Sequence, residues 1–295
     1  GDGSFLTALE WFWNSWASAR KDILLICCSS ATSWIVNKVF HNHGGLYGRV
    51  NRRIHLHPFT LQECERFYES RNILMNRYDQ VVSYMVFGGV PYYLAMLDKG
   101  KSLPQNIDEL LFAPDGQLHD EYKNLYQSMF RNAENHLAIV SAIATKSKGM
   151  TRNEILEQTG LPNAGSTTRV LEELEQSEFI RRYVAFGQKK RDELYQLTDA
   201  YTLFYYHFLK DGKNNDAMFW EHYLGSSKLL SWAGYAFEQV CLAHSEQIKQ
   251  AMGISGIAVS QSGWMSKSKD NKAQIDLVLD RADNVVNLCE IKFSS

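Results

Sequence analysis

Residues 274–293 read QIDLVLDRADNVVNLCEIKF. Two aliphatic runs, Gln274 to Asp280 and Val285 to Phe293, flank the turn residues Ala282, Asp283 and Asn284, which is the pattern of a β-hairpin. Strand side chains alternate between faces, so Glu290 and Lys292 are expected on one face, and a hairpin of this length brings Asp276 alongside them. Two carboxylates and an ammonium gathered in this way have a chemical use. Hard Mg²⁺ prefers oxygen ligands, which Asp276 and Glu290 supply, while Lys292 orients an attacking water or stabilises charge developing on a phosphate. Upstream, the run GYAFE ends at Glu238 on a helix expected over 234–250, and this adds a third carboxylate. A solvated strand face explains any one of these residues alone, so the order of elements carries the reading.

A further β-like stretch at 256–260 completes a C-terminal unit over 213–295. Residues 101–212 form a linker followed by short helices at 135–146, from Thr151 with Glu154 at capping-box spacing, and at 166–176. Strands at 179–186 and 193–197 then flank the basic turn GQKKR at 187–191. Three helices and a two-stranded wing make a winged helix-turn-helix. DNA contact would run through the helix at 166–176 and through Lys189, Lys190 and Arg191, but Glu172, Glu173 and Glu175 set repulsion against it, which favours a packing or regulatory role. The aromatic run 201–209 is expected to pack between domains.

Residues 1–100 carry the rhythm of a parallel α/β sheet. Leu6, Leu9, Trp13 and Trp16 lie at helical spacing, with Trp11 adding to an aromatic first helix expected to be core, and 22–28 (DILLICC) is an apolar run about one strand long. Ala31 to Phe40 suits a helix, His43 to Gly45 a turn, and Arg53 to Leu56 a short strand. Thr60 and Glu63 open another helix with capping-box spacing, and Gly88-Gly89 punctuates it before a short helix from Tyr92.

Composition limits the classes. The chain has 295 residues, 45% hydrophobic and 13% aromatic, enough for two or three domains with real cores. Its 31 Lys and Arg against 33 Asp and Glu give a charge of −2, so any DNA contact must come from a local patch. The five cysteines form no CxxC pair and have no histidines at zinc-finger spacing, which suits a reduced, cytoplasmic protein. No stretch reaches roughly 18 uninterrupted apolar residues, so no membrane span is expected.

The order of a Glu-bearing helix, an Asp-bearing strand and ExK on the next strand resembles the PD-(D/E)xK nuclease superfamily. Six blocks extend a likeness over nearly the whole length: LLICCSSATSW (24–34), GGLYGR (44–49), IHLHPFTLQE (54–63), FGGVPYYL (87–94), YQLTDAYTLFYYHF (195–208) and 274–293. In this order they resemble prokaryotic P-loop ATPases of the archaeal, AAA-like type with a winged helix and a nuclease-like C-terminal domain. The resemblance implies an α/β fold: part of a P-loop ATPase core with its lid over 1–100, the winged helix over 101–212, and a partial restriction-endonuclease-like domain over 213–295.

It also implies roles for two residues. Ser30 ends a strand similar to the family's sensor strand and would face the terminal phosphate of ATP, although Ser29 stands where the family usually has Gly. Arg49 matches the position of an arginine finger. No GxxxxGK[ST] occurs in the sequence, so ATP and Mg²⁺ are expected only in a full-length protein of which this chain is a piece truncated at both ends. The expected site set is therefore Glu238, Asp276, Glu290 and Lys292 for catalysis, with Asp276 and Glu290 holding Mg²⁺. The alternatives are a DNA-binding or regulatory module whose nuclease-like domain is inactive, and a Mg²⁺-dependent nuclease without ATP. A homo-oligomer or a protein partner is compatible with each.

Overall fold

The computed structural model describes residues 3–29, 46, 48–210, 216–266 and 273–294. The chain divides into two compact units, Gly1–His57 and Pro58–Ser295, and the boundaries expected near 100 and 212 both fall inside the second.

In the first unit, helix α1 (Gly3–Ser15) is followed by one 3₁₀ turn, Ala17–Ala19. Leu6, Leu9 and Trp13 are half-buried, but Trp11 is 72% exposed and Trp16 is exposed, so the aromatic stripe expected as core is covered on one side only. Arg20 lies over the Trp16 ring, 4.8 Å from its centroid, and pairs with Asp22. The run at 22–28 carries no strand, and Leu24 is 84% exposed. Arg53 to Leu56 likewise carries none. An apolar run becomes a buried parallel strand only where neighbouring strands take its hydrogen bonds and helices cover both faces. The described part of this unit holds no other strand, and both sheets of the described residues are antiparallel, so the expected parallel sheet is not found there. The helix expected at Ala31 to Phe40, the turn at His43 to Gly45 and Ser30 lie outside the described residues.

The second unit mixes helices with two small sheets. It begins with α2 (Leu61–Ser70), α3 (Arg77–Phe87), α4 (Pro91–Leu94), α5 (Leu103–Ile107), a π turn at Asp108–Phe112, α6 (Glu121–Met129) and α7 (Glu134–Ile143). Strand β1 (Met150–Thr151), α8 (Arg152–Thr159), α9 (Gly165–Gln176), β2 (Ile180–Tyr183) and β3 (Leu194–Leu197) follow, with sheet order β1-β3-β2. Helix α10 (Ala200–Phe204) continues into a π turn, Tyr205–Leu209, and then come α11 (Phe219–Tyr223), α12 (Ser227–Ala243) and α13 (Ser245–Ala251). The meander β4 (Val259–Met265), β5 (Gln274–Arg281) and β6 (Val286–Cys289) closes the described chain. The order of helices and hairpin expected over 120–210 is present, and so is the expected turn between β5 and β6.

Local chemistry explains most boundaries. Thr60 and Glu63 close a capping box at α2, Thr151 and Glu154 another at α8, and each leaves fewer orphan amides at the helix start. Helix α3 stops at Gly88, whose φ of +64° no β-branched residue adopts cheaply. Gly89 is required for a different reason: a Cβ there would lie 1.9 Å from the Phe59 carbonyl oxygen, where the Phe59 amide donates to the Gly89 carbonyl at 2.7 Å.

One large core holds the helices, with Tyr68, Phe87, Tyr126, Tyr201 and Phe204 fully buried. A smaller cluster of Leu242, Ile254, Leu277 and Leu279 seats the β4-β5-β6 sheet on α12 and the segment after α13, with Cys289 and Ile291 packed beside it. His244, between those two helices, ties the layers together. Its Nδ1 donates to the Val240 carbonyl at 2.8 Å and its Nε2 accepts the Leu61 amide at 2.9 Å, so the ring is held as the neutral Nδ1–H tautomer and caps α2. His244→Ala should lower unfolding free energy by about 1–2 kcal/mol in urea denaturation, because the half-buried Leu61 amide loses its acceptor while the Val240 carbonyl keeps the residue-244 amide. An unchanged midpoint would show that water replaces the ring at no cost.

Candidate functional site: the cleft between the two sheets

A cleft of about 250 Å³ separates the β1-β3-β2 sheet from the β4-β5-β6 meander, with α12 along its floor. The turn before β1 supplies its central residue. Gly149 has φ +85°, and a Cβ there would meet the Tyr195 carbonyl oxygen at 2.5 Å, so only glycine lets this turn lie so close to β3. Three donors then fix the turn. Tyr183 Oη donates to the Lys148 carbonyl at 2.7 Å, while Gln196 Nε2 at 2.6 Å and Tyr235 Oη at 3.0 Å donate to the Ser147 carbonyl. Burial pushes both phenols above their ordinary range, so they remain neutral donors.

Held in this way, Lys148 reaches α12. Its ammonium lies 2.8 and 2.9 Å from the two Glu238 carboxylate oxygens and 3.9 Å from Asp276 Oδ1. The Glu238 and Asp276 side chains are only 11% and 12% exposed, so Lys148 is what makes their charge tolerable in that cleft. Asp276 is anchored further, because its Oδ2 accepts the Ile291 amide at 3.0 Å and its Oδ1 accepts Gln274 Nε2 at 2.5 Å. Arg181, on β2, is the second cation. Its Nε and Nη2 both bond Gln196 Oε1, at 2.9 and 2.5 Å, and its guanidinium lies 5.1 Å from the Tyr183 ring centroid. Burial lowers its pKa from the ordinary arginine value, with Glu238 among the groups pulling the other way.

The structure thus brings together two of the four expected catalytic residues, Glu238 and Asp276. Glu290 and Lys292 stand elsewhere: they pair with each other at 3.1 Å, 71% and 76% exposed, and neither lines the cleft. The reason lies in which residues of the last segment are apolar. Strand β6 ends at Cys289, and Cys289, Ile291 and Phe293 are the half-buried set, Phe293 lying against Tyr78 and Phe237 at ring distances of 5.2 Å each. Alternation then turns Glu290 and Lys292 to solvent. The β5–β6 register, with Leu277 opposite Cys289, and the Ile291 amide bond set the backbone of Glu290 beside Asp276, but the Glu290 carboxylate is paired with Lys292 and exposed. A Mg²⁺ ion on Asp276 and Glu238 would have to displace the Lys148 ammonium, so the residues as folded do not fit that ion.

Lys148 was missing from the expected set because nothing near it in sequence marks it; only the packing of the turn before β1 on α12 brings it to Glu238. Arg49, in the first unit, is exposed, its amide donating to the Leu46 carbonyl at 3.1 Å, and Ser30 is outside the described residues. Lys189, Lys190 and Arg191 are exposed, and the preceding loop is tied to β4 by the Phe186 amide donating to the Gly263 carbonyl at 2.8 Å. Of the glutamates on α9, Glu173 pairs with His136 at 2.9 Å and Glu175 with Arg182 at 2.7 Å, which leaves Glu172 as the acid on its exposed face.

Compared with known proteins, the chain matches no family model, no curated protein and no solved structure. No helix among the described residues is long and apolar enough to cross a membrane.

The cleft as folded is an ion-paired clamp. Lys148→Ala should cost about 1–3 kcal/mol in urea unfolding, less than for a fully buried pair because Lys148 is 29% exposed. Adding Glu238→Gln should recover part of that loss, whereas Glu290→Ala and Lys292→Ala should each stay within about 0.5 kcal/mol of wild type. Equal costs for all four would show that the clamp contributes nothing special.

Proposed function

We propose that this chain is a regulatory part of an archaeal-type ATPase, in which a winged helix and a nuclease-like fold are joined as a module that does not hydrolyse phosphodiesters. One observation carries the reading: the Lys148 ammonium bridges both oxygens of Glu238 and stands beside Asp276, in the place a catalytic cation would take. A carboxylate pair neutralised by a lysine has little free-energy reason to bind Mg²⁺, since the ion must break a good pair and then be dehydrated. ATP and Mg²⁺ binding belong in this reading to the full-length ATPase, with Ser30 and Arg49 contributing to that nucleotide site. Nucleotide turnover there would change what the module is docked against, and a second copy or another protein is the natural receiver of that change.

A plasmid-nicking assay with Mg²⁺ tests the non-hydrolytic reading. Supercoiled DNA should remain intact with wild type, Glu290→Ala and Lys292→Ala alike. Nicking by wild type that disappears in Glu238→Gln or Asp276→Asn would establish a nuclease and end the proposal.

The Glu175–Arg182 ion pair and the Glu173–His136 hydrogen bond favour a second role, duplex DNA contact through α9 and the basic turn, because two of the three acids expected to repel phosphates are turned to protein partners. In fluorescence anisotropy with a labelled duplex at low salt, Lys189→Glu combined with Lys190→Glu should weaken binding roughly tenfold or more and flatten its salt dependence. Identical curves for variant and wild type would remove DNA from the account.

A further inference from the structure

Arg181 is a cation with an unused edge. Its Nε and Nη2 are committed side-on to Gln196 Oε1, a neutral amide oxygen, and among the described residues it makes no ion pair. Nη1 and the second Nη2 hydrogen therefore form an end-on fork with no protein acceptor, and such a fork matches two oxygens of an oxyanion. The partner amide cannot rotate away. Gln196 is 1% exposed and its Nε2 donates to the Ser147 carbonyl at 2.6 Å, so its Oε1 must face Arg181 and set the plane of the guanidinium.

The neighbouring arginine shows that acids were available. Arg182 pairs with Glu175 at 2.7 Å and lies 3.9 Å from Glu193. Arg181 is the less exposed of the two, yet its hydrogen bonds go only to an amide, with the Tyr183 ring and the charge of Glu238 as its other support. A half-buried guanidinium with one edge free of protein acceptors gains from an anion that meets that edge.

Arg181 shares its cleft with Lys148, and about 250 Å³ admits a group the size of a phosphate but no duplex. We infer that the cleft binds the phosphate group of a small molecule, gripped end-on by Arg181, and that the dianion takes a share of the Lys148 ammonium from Glu238 and so weakens the clamp between the two sheets. A monocarboxylate, with one charge and two oxygens, is satisfied by the fork alone and has no pull left for Lys148. This inference rests on the regulatory reading above, since it gives the clamp its effector.

Isothermal titration in EDTA, with potassium chloride holding ionic strength constant, tests it with three probes: inorganic phosphate, adenosine monophosphate and acetate. EDTA removes any metal-dependent hydrolysis, so a failure here is distinct from the appearance of nicking in Mg²⁺. Wild type and the surface control Arg77→Gln, 86% exposed on α3, should bind phosphate saturably, Arg181→Gln should not, and Arg181→Lys, which keeps the charge but loses the fork, should bind at least tenfold more weakly. Tighter binding of the nucleotide identifies a nucleotide as the source of the phosphate; tighter binding of phosphate identifies the free ion. Should Arg181→Gln fail to give the wild-type circular dichroism spectrum, Arg181→Lys decides. No saturable heat with wild type, acetate binding as tightly as phosphate, or unchanged phosphate affinity in Arg181→Lys means an adventitious ion only, and overturns the inference.

Discussion

Two carboxylates at about a tenth exposure cannot share a cleft without a cation, and Lys148 is the cation this chain supplies. That requirement reaches well beyond the pair. To place the ammonium, the turn before β1 must approach β3 closely enough that residue 149 has to be glycine. To keep it there, Tyr183, Gln196 and Tyr235 spend their donors on the carbonyls of Ser147 and Lys148. The same Gln196 then has its carbonyl oxygen left for Arg181, so one buried amide orders both cations of the cleft. Removing Lys148, Tyr183 or Gln196 would leave a polar atom of another without its partner, whereas the Ser147 carbonyl keeps a second donor if Tyr235 is lost.

Helix α12 is where the network meets the core. Glu238 faces the cleft, while Leu242, one turn later, belongs to the apolar cluster beneath the β4-β5-β6 sheet. Trp232, Ala233 and Ala236 on the same helix pack into the larger core. The helix is therefore apolar on most of its circumference, with one acid admitted because a lysine from another sheet answers it. His244 just beyond its end extends the connection to the start of α2 through the Leu61 amide. The position of the cleft is thus set by packing on both sides, and its charge by residues that packing brings together.

Features that rest on local chemistry were legible in the sequence. The capping boxes at Thr60 and Thr151, the stop at Gly88, the three helices and hairpin of 134–197 and the turn at Ala282 to Asn284 all follow from interactions within a few residues of each other. Features that depend on a distant partner were not. The apolar run at 22–28 has strand composition, but a strand exists only if another strand takes its hydrogen bonds, and composition cannot report that. Glu290 and Lys292 share a face as alternation requires, yet it is the solvent face, because Cys289, Ile291 and Phe293 compete for the interior and are apolar. Glu238 and Asp276 were found by residue type and order of elements, whereas Lys148 carried no local mark at all.

The contrast between Lys148 and Lys292 shows what a motif can and cannot specify. ExK spacing guarantees that two side chains point the same way; it says nothing about whether a third group arrives opposite them. In this fold the tail after β6 is held by Phe293 on Tyr78 and Phe237, which commits its odd-numbered residues inward and leaves the motif's charges to neutralise each other in water. The carboxylates that remain inside then need a counter-charge from elsewhere, and the nearest element across the cleft is the turn that carries Lys148. A lysine on a turn across the cleft differs physically from one two residues along the same segment: its pairing joins two elements. A charge balance built across a cleft ties the turn before β1 to α12 and β5, which a balance confined to a single segment cannot do.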